Sequence, residues 1–230
     1  MKDRLNSHEA YTILFSPRSL TGALLKHNPA TGMFHLRSLQ HAQLHNLELE
    51  RLTLFNPTAI GSIITQWYAA CDQATPLLFA LHGPAIEEHM LLLHTAHPND
   101  SHFPISHAPH LSWKHTYLYS LDHRHCFYLC GMPKPLLFQY QLMAIEHNLP
   151  LTLLTTERMA LAHCYRAMNG AAYRPAQLAH ALQMQHNRIE RLFFKEDLSR
   201  MLIIPSHIKV DDSIRLPLLA ACGLFAMQGL

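Results

Sequence analysis

Short apolar runs alternate with polar turns along the chain, and their spacing predicts an α/β fold. Residues 10–25 give two strands around a turn that contains Pro17, and a third strand follows over residues 33–44. The chain therefore opens as a β-meander. The continuous apolar run PLLFALHG, residues 76–83, has the length of a strand and predicts one that is buried on both faces of a sheet.

Helical spacing and capping residues place the helices. Asn56 is predicted to cap a helix that has Pro57 at its first position. Asp211 and Asp212 predict a turn or a helix cap before a final apolar helix. Three more helices are predicted over residues 136–148, 158–170 and 175–194. A buried strand is predicted over residues 149–157, and a short strand over residues 201–205. This order predicts a mixed sheet with flanking helices.

The middle of the chain differs from both ends in composition. Residues 97–116 are rich in Pro, His and Ser and predict an exposed loop, and residues 117–132 predict a hairpin around Asp122-His123-Arg124. We therefore divide the chain into an N-terminal subdomain, a small inserted subdomain or loop with a hairpin, and a helical completion of the first subdomain, at residues 1–96, 97–135 and 136–230.

Composition excludes several classes of protein. Apolar residues make up 49% and charged residues 15%, which predicts a sizeable core and some apolar surface covered by a partner. A net charge of +2 without a Lys/Arg stripe argues against nucleic-acid binding. The polar N-terminus lacks a signal-peptide pattern, and the apolar stretch 216–227 is too short to cross a bilayer. Five cysteines at irregular spacing favour a reducing compartment, so we expect a cytoplasmic protein.

Four stretches, in this order, resemble one known family. They are YTILFSPRSLTGALL, PLLFALHGPAIEEHMLLL, YLCGMPKPLLFQYQLMAIEHNLPLTLLTTERMALAHCYRAM and ACGLFAMQG. The order resembles the PilM-like branch of the actin-like ATPases, which are cytoplasmic proteins of type IV pilus and type II secretion machines. The resemblance implies an actin-like (ribonuclease H-like) mixed sheet, with a small inserted subdomain.

The chain departs from the family's pattern where the family binds nucleotide. The family's first hairpin carries an Asp and a Gly, whereas Leu14 and Ser16 stand at the matching positions here, followed by Pro17. Proline has no N–H to offer a phosphate, and leucine cannot coordinate magnesium through a water. A second phosphate hairpin has no counterpart, so we expect the second large domain to be largely missing. The chain is therefore predicted to be a pseudo-ATPase that needs no cofactor.

The hairpin carries a candidate metal site. His123, His125, Cys126 and Cys130 offer zinc-type ligands, and histidines of the preceding loop could complete a set: His102, His107, His110 and His115. The two cysteines face away from the two histidines on a strand, and the spacing fails the usual zinc patterns. We therefore predict a polar turn, with the cysteines in the core and no metal ligands.

Catalytic chemistry finds no support in the residue pattern. His163 and Cys164 are adjacent on a predicted helix and diverge by about 100°, and Glu87 and Glu88 point to opposite faces of a strand. No GxxxxGK[ST] or GxGxxG motif occurs in the sequence. We predict no catalytic, cofactor-binding or metal-ligating residues, and therefore no enzyme.

The aromatic residues of the middle segment allow two interpretations. They form either a peptide-binding surface or the core of the inserted subdomain, and they are Trp113, Tyr117, Tyr119, Phe127 and Tyr128.

The function that the resemblance implies is that of a non-catalytic scaffold. It would bind a short cytoplasmic tail of an inner-membrane assembly protein, in a groove between subdomains or along a sheet edge, without entering the membrane, and homo-oligomers remain open. The first alternative is a reduced actin-like ATPase or sugar-kinase-like phosphotransferase. The second, prompted by 20 histidines, is a metal-binding or pH-sensing protein.

Overall fold

A computed structural model describes residues 8–44, 49–50, 52–103, 108–183, 192–193 and 197–228. In chain order its elements are β1 (Glu9–Ser16), β2 (Ser19–Asn28), β3 (Met33–Gln43), β4 (Leu49–Glu50), β5 (Thr53–Leu54), α1 (Pro57–Tyr68), β6 (Leu77–Leu81), β7 (Glu87–Leu93), a 3₁₀ turn (Asp100–His102), β8 (Leu111–Leu121), β9 (Arg124–Pro133), α2 (Lys134–Glu146), β10 (Leu151–Thr156), α3 (Glu157–Asn169), a 3₁₀ turn (Gly170–Ala172), α4 (Pro175–Gln183), α5 (Asp197–Met201), β11 (Leu202–Ile203) and α6 (Asp212–Ala226).

A central sheet organises the molecule, with strand order β10-β6-β1-β2-β3-β11. The β-meander β1-β2-β3 is antiparallel, whereas β6 and β10 run parallel to β1. All five residues of β6 have no exposed surface, as the continuous apolar run predicted. The predicted mixed sheet is confirmed.

Alternate residues of β1 enter two separate cores. Ala10 and Leu14 belong to the core formed with α3 and α6, and Tyr11, Ile13 and Phe15 belong to the core formed with α1 and α2. The period of two along a strand therefore supplies both faces from one short segment. The sheet lies between two layers of helices.

The predicted start of α1 is confirmed. The Asn56 side chain accepts a hydrogen bond from the Ala59 N–H at 3.0 Å, and Pro57 occupies the first turn. Ile60 and Ile64 are fully buried against the sheet. The helix forms here because its cap, its proline and its apolar face all agree.

A second, three-stranded sheet has the order β7-β9-β8. The predicted hairpin turn is confirmed: Asp122 and His123 adopt positive φ of 48° and 61°, as tight two-residue hairpins require. The predicted loop was too long, because residues 111–116 belong to β8 and pair with β9. Their polar side chains alternate along an edge strand, and a polar composition of this kind is also typical of loops. The pairing of β7 with β9 crosses the predicted subdomain boundary at residue 97, and the three-part division stays a prediction.

One predicted helix is shorter than expected. The helix predicted over residues 175–194 is helical from Pro175 to Gln183, and Leu192 and Phe193 are not α-helical. Residues 184–191 and 194 lie outside the described part of the chain. Phe193 instead packs into the core beside Tyr165, with ring centroids 6.0 Å apart.

Helices α3 and α6 pack with their backbones close together because Gly223 has no side chain. A Cβ placed on Gly223 would lie 1.8 Å from the Ala160 carbonyl oxygen. Two backbones would have to separate to admit it, and this contact closes the core on that face of the sheet.

We predict that Gly223→Ala destabilises the protein by about 2 kcal/mol or more, because overpacking against backbone is not relieved by a rotamer change. Gly61→Ala on α1 is the matched control. The three atoms nearest to its added Cβ all belong to the half-buried His147 ring, a side chain rather than backbone, so we expect a smaller effect. Urea unfolding of both variants measures the difference, and equal losses would contradict this account.

Candidate functional site

A polar cleft lies at the carboxyl ends of the parallel strands β1, β6 and β10, where open α/β sheets commonly bind ligands. The N-terminus of α6 forms its opposite wall. The cavity has a volume of about 300 Å³ and is lined by Ser16, His82, Glu157, Asp212, Ser213, Arg215, Leu216 and Pro217.

The first hairpin offers the cleft little that binds phosphate. Ser16 pairs with Ser19, so Pro17 and Arg18 form the turn. Leu14 stands where the resemblance implied an Asp. It is 3% exposed and packs in the core, and it is not among the residues that line the cleft. The side chain at the position of the expected Asp is therefore buried in the core and does not face the cleft.

Both helix N-termini near the cleft are capped by the chain's own oxygens. At α3, the Thr156 hydroxyl accepts a hydrogen bond from the Met159 N–H at 3.2 Å. At α6, the Asp211 carboxylate accepts from the Ser213 and Ile214 N–H groups at 2.9 and 3.2 Å, which confirms the predicted cap. Free N–H groups at a helix N-terminus attract anions, and three of those at these two ends already donate to the chain's own oxygens.

Glu157 contributes a buried carboxylate to the floor of the cleft. Its Oε2 contacts His82 Nδ1, and the Glu157 side chain is 6% exposed. The hydrogen bond to Glu157 raises the pKa of His82 above that of a free histidine, although burial opposes the change. The carboxylate of Glu157 and its partner His82 therefore occupy this edge of the central sheet together.

A second buried ion pair lies directly behind the first. Arg158 contacts the Glu88 carboxylate, whose other oxygen accepts a hydrogen bond from the Tyr128 hydroxyl at 2.5 Å. Arg158 also donates to the Leu182 carbonyl oxygen at 2.8 Å. One side chain at the start of α3 therefore ties β7, β9 and α4 together.

The candidate catalytic residues do not lie together in one site. Cys164 is fully buried, and burial raises its pKa well above the ordinary value, which disfavours a thiolate. His163 points toward β8, where its Nε2 lies 3.3 Å from the Thr116 hydroxyl. The Glu88 side chain is 14% exposed, whereas the Glu87 side chain is 50% exposed beside His89, as their opposite facing predicted.

The residues weighed for a metal site do not converge. Cys126 and Cys130 are buried, as predicted, and burial raises the pKa of Cys130 to about 12. His125 contacts the Ser120 hydroxyl and His102 contacts Asn99. Within the described residues, no group of three or more His, Cys, Asp or Glu side chains is placed to hold a metal ion. His107 lies outside those residues.

The aromatic residues of the middle segment are mostly buried. Phe127 and Tyr128 are 1% exposed and belong to opposite faces of the three-stranded sheet. Trp113 is half-buried, and Tyr117 is 40% exposed. The segment is therefore mainly core, with Tyr117 at the surface.

The structure contains a groove of about 770 Å³ among α3, α4 and α5 that the sequence did not predict. Its lining mixes apolar, amide and basic side chains and comprises Tyr165, Met168, Asn169, Ala172, Arg174, Ala176, Gln177, His180, Ala181, Leu192, Asp197 and Arg200. Arg174, Gln177 and His180 follow one another at helical spacing, but their convergence with α3 and α5 depends on tertiary packing.

Comparison with known proteins identifies the fold. No protein-family model and no curated protein matches the chain. Among solved structures, it is similar to a PilM-PilN type IV pilus biogenesis complex, with 14% identity and a TM-score of 0.52 over 69% of this chain. The fold is actin-like. The alignment covers 50% of the matched chain in that complex, so this chain spans half of its length.

A second solved structure is similar to a smaller degree. It is the cytoplasmic domain of EpsL, an inner-membrane component of the Vibrio cholerae type II secretion system, with 7% identity and a TM-score of 0.42. That match covers 66% of this chain and 58% of the EpsL chain. Separately, among the described residues no helix combines the length and apolarity needed to cross a bilayer.

We predict that Arg158→Leu lowers the free energy of unfolding by about 3–5 kcal/mol, because it leaves the Glu88 carboxylate buried without its partner. Arg37→Leu is the control, since Arg37 is exposed on β3. It should change stability by less than about 1 kcal/mol. Chemical unfolding compares the two, and a similar loss in both would contradict the role assigned to Arg158.

We predict that His82 stabilises the fold most at acidic to neutral pH. Its folded pKa is raised, so its contribution is complete below the ordinary histidine pKa of about 6.5 and declines as the pH rises through the raised value. His27 and His163, whose pKa values are lowered, act in the opposite direction.

The measurement is therefore the difference in unfolding free energy between the native chain and His82→Gln at several pH values. We expect this difference to shrink as the pH rises above about 6.5. A difference that is constant with pH would show that the Glu157 contact does not favour the charged histidine.

Proposed function

We propose that this protein is a non-catalytic scaffold of a type IV pilus or type II secretion assembly, which binds a cytoplasmic tail of an inner-membrane protein. The observation that carries the proposal is the state of the polar cleft. Leu14 is packed into the core, Pro17 lacks an N–H, and Glu157 places a carboxylate at the cleft floor. An actin-like fold with such a cleft retains its surfaces for partners but not its means of holding phosphates.

The fold supports the choice of assembly. The matched solved structure is a PilM-PilN type IV pilus biogenesis complex, and binding of a protein partner is therefore a use that we infer for this fold. At 14% identity the likeness concerns the fold, and the assembly is our inference from it.

The groove among α3, α4 and α5 is the surface that we assign to the partner. Its volume of about 770 Å³ suits several side chains of an extended segment. Arg174 and Arg200 place positive charge beside apolar Met168 and Ala176, and Asp197 lies 3.8 Å from Arg200. This lining fits a peptide that carries both carboxylates and apolar side chains.

We predict that Arg174→Glu weakens peptide binding about tenfold, because it reverses a charge on the groove. The probes are fluorescein-labelled peptides that span the cytoplasmic tail of each single-span inner-membrane protein encoded beside this gene. Fluorescence anisotropy measures the affinity. Arg37→Glu, an exposed arginine on β3, is the charge-matched control and should leave the affinity unchanged.

Two results would overturn the proposal. One is the absence of binding for every peptide up to about 1 mM, and the other is an equal loss in both arginine variants. The alternative, a reduced ATPase, is tested in the same preparation by calorimetric titration with Mg-ATP. Saturable binding at about 1 mM or below would favour the enzyme over the scaffold.

A further inference from the structure

Helix α2 is apolar on its exposed side as well as its buried side. Leu136, Tyr140, Met143 and Ala144 pack against the sheet. On the outside, Phe138, Leu142 and Ile145 are 63%, 39% and 71% exposed. Their spacing places these three side chains in one stripe along the helix. We call the exposed residues of α2 the α2 face; they are Lys134, Pro135, Phe138, Gln141, Leu142, Ile145 and Glu146.

The neighbouring helix α1 shows that this exposure is specific to α2. Both helices cover the same face of the central sheet. The exposed residues of α1 between its ends are all polar: Thr58, Ser62, Thr65 and Gln66. Phe55 extends the apolar surface beside α2, because it is 59% exposed and follows Leu54, whose N–H donates to Gln139 at 3.2 Å. Exposed apolar patches of this kind mark interaction sites.

The two charges of α2 lie at the unfavourable ends of the helix. Lys134 is in the first turn and Glu146 in the last, and the helix has no acidic residue in its first turn and no basic residue in its last. The helix dipole favours the reverse arrangement, with acids at the N-terminus and bases at the C-terminus. The observed placement lowers the stability of the isolated helix. A contact outside the helix that pairs these two charges would therefore stabilise it.

The α2 face is complementary to itself. Residues equidistant from Tyr140 along the chain match in character: Lys134 with Glu146, Pro135 with Ile145, and Phe138 with Leu142. Two copies of α2 placed antiparallel about a two-fold axis at Tyr140 would bring each apolar residue onto an apolar residue. The same arrangement would bring each Lys134 beside Glu146 of the other copy, which is the defining property of an isologous interface.

We propose that the α2 face is where a second copy of this chain docks, as an antiparallel helix pair. A crossing angle near +20° keeps two helices side by side along their length and lets the end charges meet. The helix is only about 20 Å long, which is small for a stable interface, so we infer a weak dimer with a Kd on the order of 10–100 µM. This inference is independent of the proposed function.

The first test measures self-association by sedimentation equilibrium up to about 500 µM chain. We expect a monomer–dimer equilibrium that Leu142→Glu weakens by at least about tenfold, because it places a carboxylate against Phe138 of the other copy. Leu92→Glu is the matched control, since Leu92 is 54% exposed on β7, and it should leave the equilibrium unchanged. A native chain that stays monomeric would overturn the proposal, as would a dimer that is insensitive to Leu142→Glu.

The second test reverses the end charges. Lys134→Glu and Glu146→Lys each place like charges side by side across the pair, so each should raise the dimer Kd roughly tenfold at low salt. The double variant should restore the native Kd. Each single variant improves the match to the helix dipole, so thermal stability should not fall and misfolding cannot imitate the result. Failure of the double variant to restore association would exclude the antiparallel register.

Discussion

The buried contact of Arg158 with Glu88 is the interaction on which the two-sheet arrangement depends. Glu88 belongs to the three-stranded sheet and Arg158 to a helix on the central sheet. Tyr128 donates a further hydrogen bond to the carboxylate, and the Leu182 carbonyl accepts one from the guanidinium, so each member of the pair has a second partner inside the protein. An uncompensated charge at this depth would cost several kcal/mol. The orientation of the small sheet against α3 and α4 is thereby restricted to one that keeps all four groups in contact.

The residue before Arg158 controls the polar cleft. Glu157 and Arg158 stand side by side in the first turn of α3, and successive helical residues diverge by about 100°. Glu157 therefore reaches His82 at the carboxyl ends of the strands, while Arg158 reaches the three-stranded sheet. The first turn of α3 thus makes two contacts. Arg158 holds the three-stranded sheet, and Glu157 places a carboxylate at the carboxyl ends of the parallel strands of the central sheet.

The surfaces that we assign to partners lie on opposite faces of the central sheet. The groove is formed by α3, α4 and α5, which pack with the core that contains Leu14, and the α2 face belongs to the layer that contains Phe15. A peptide in the groove and a second copy on α2 would therefore not compete for space. Such a division suits a scaffold, because it allows two contacts to be made through one rigid sheet.

The sequence alone determined the elements and their boundaries wherever local signals agreed. Asn56 and Pro57 fixed the start of α1, the apolar run fixed β6, and Asp122 and His123 fixed the hairpin turn. These features follow from contacts between near neighbours, which a linear pattern records. The start of β8 and the end of α4 were misplaced, because strand pairing and core packing involve residues that are distant along the chain.

Only the tertiary structure decided what the polar and apolar residues do. Glu88 and Arg158 are 70 residues apart, and no spacing rule links them. The periodicity of α2 likewise shows two apolar sides without saying which one the sheet covers, so the exposed stripe of Phe138, Leu142 and Ile145 emerged only from packing. A sequence records which side chains are available, whereas burial and convergence depend on which distant surfaces the fold brings against them.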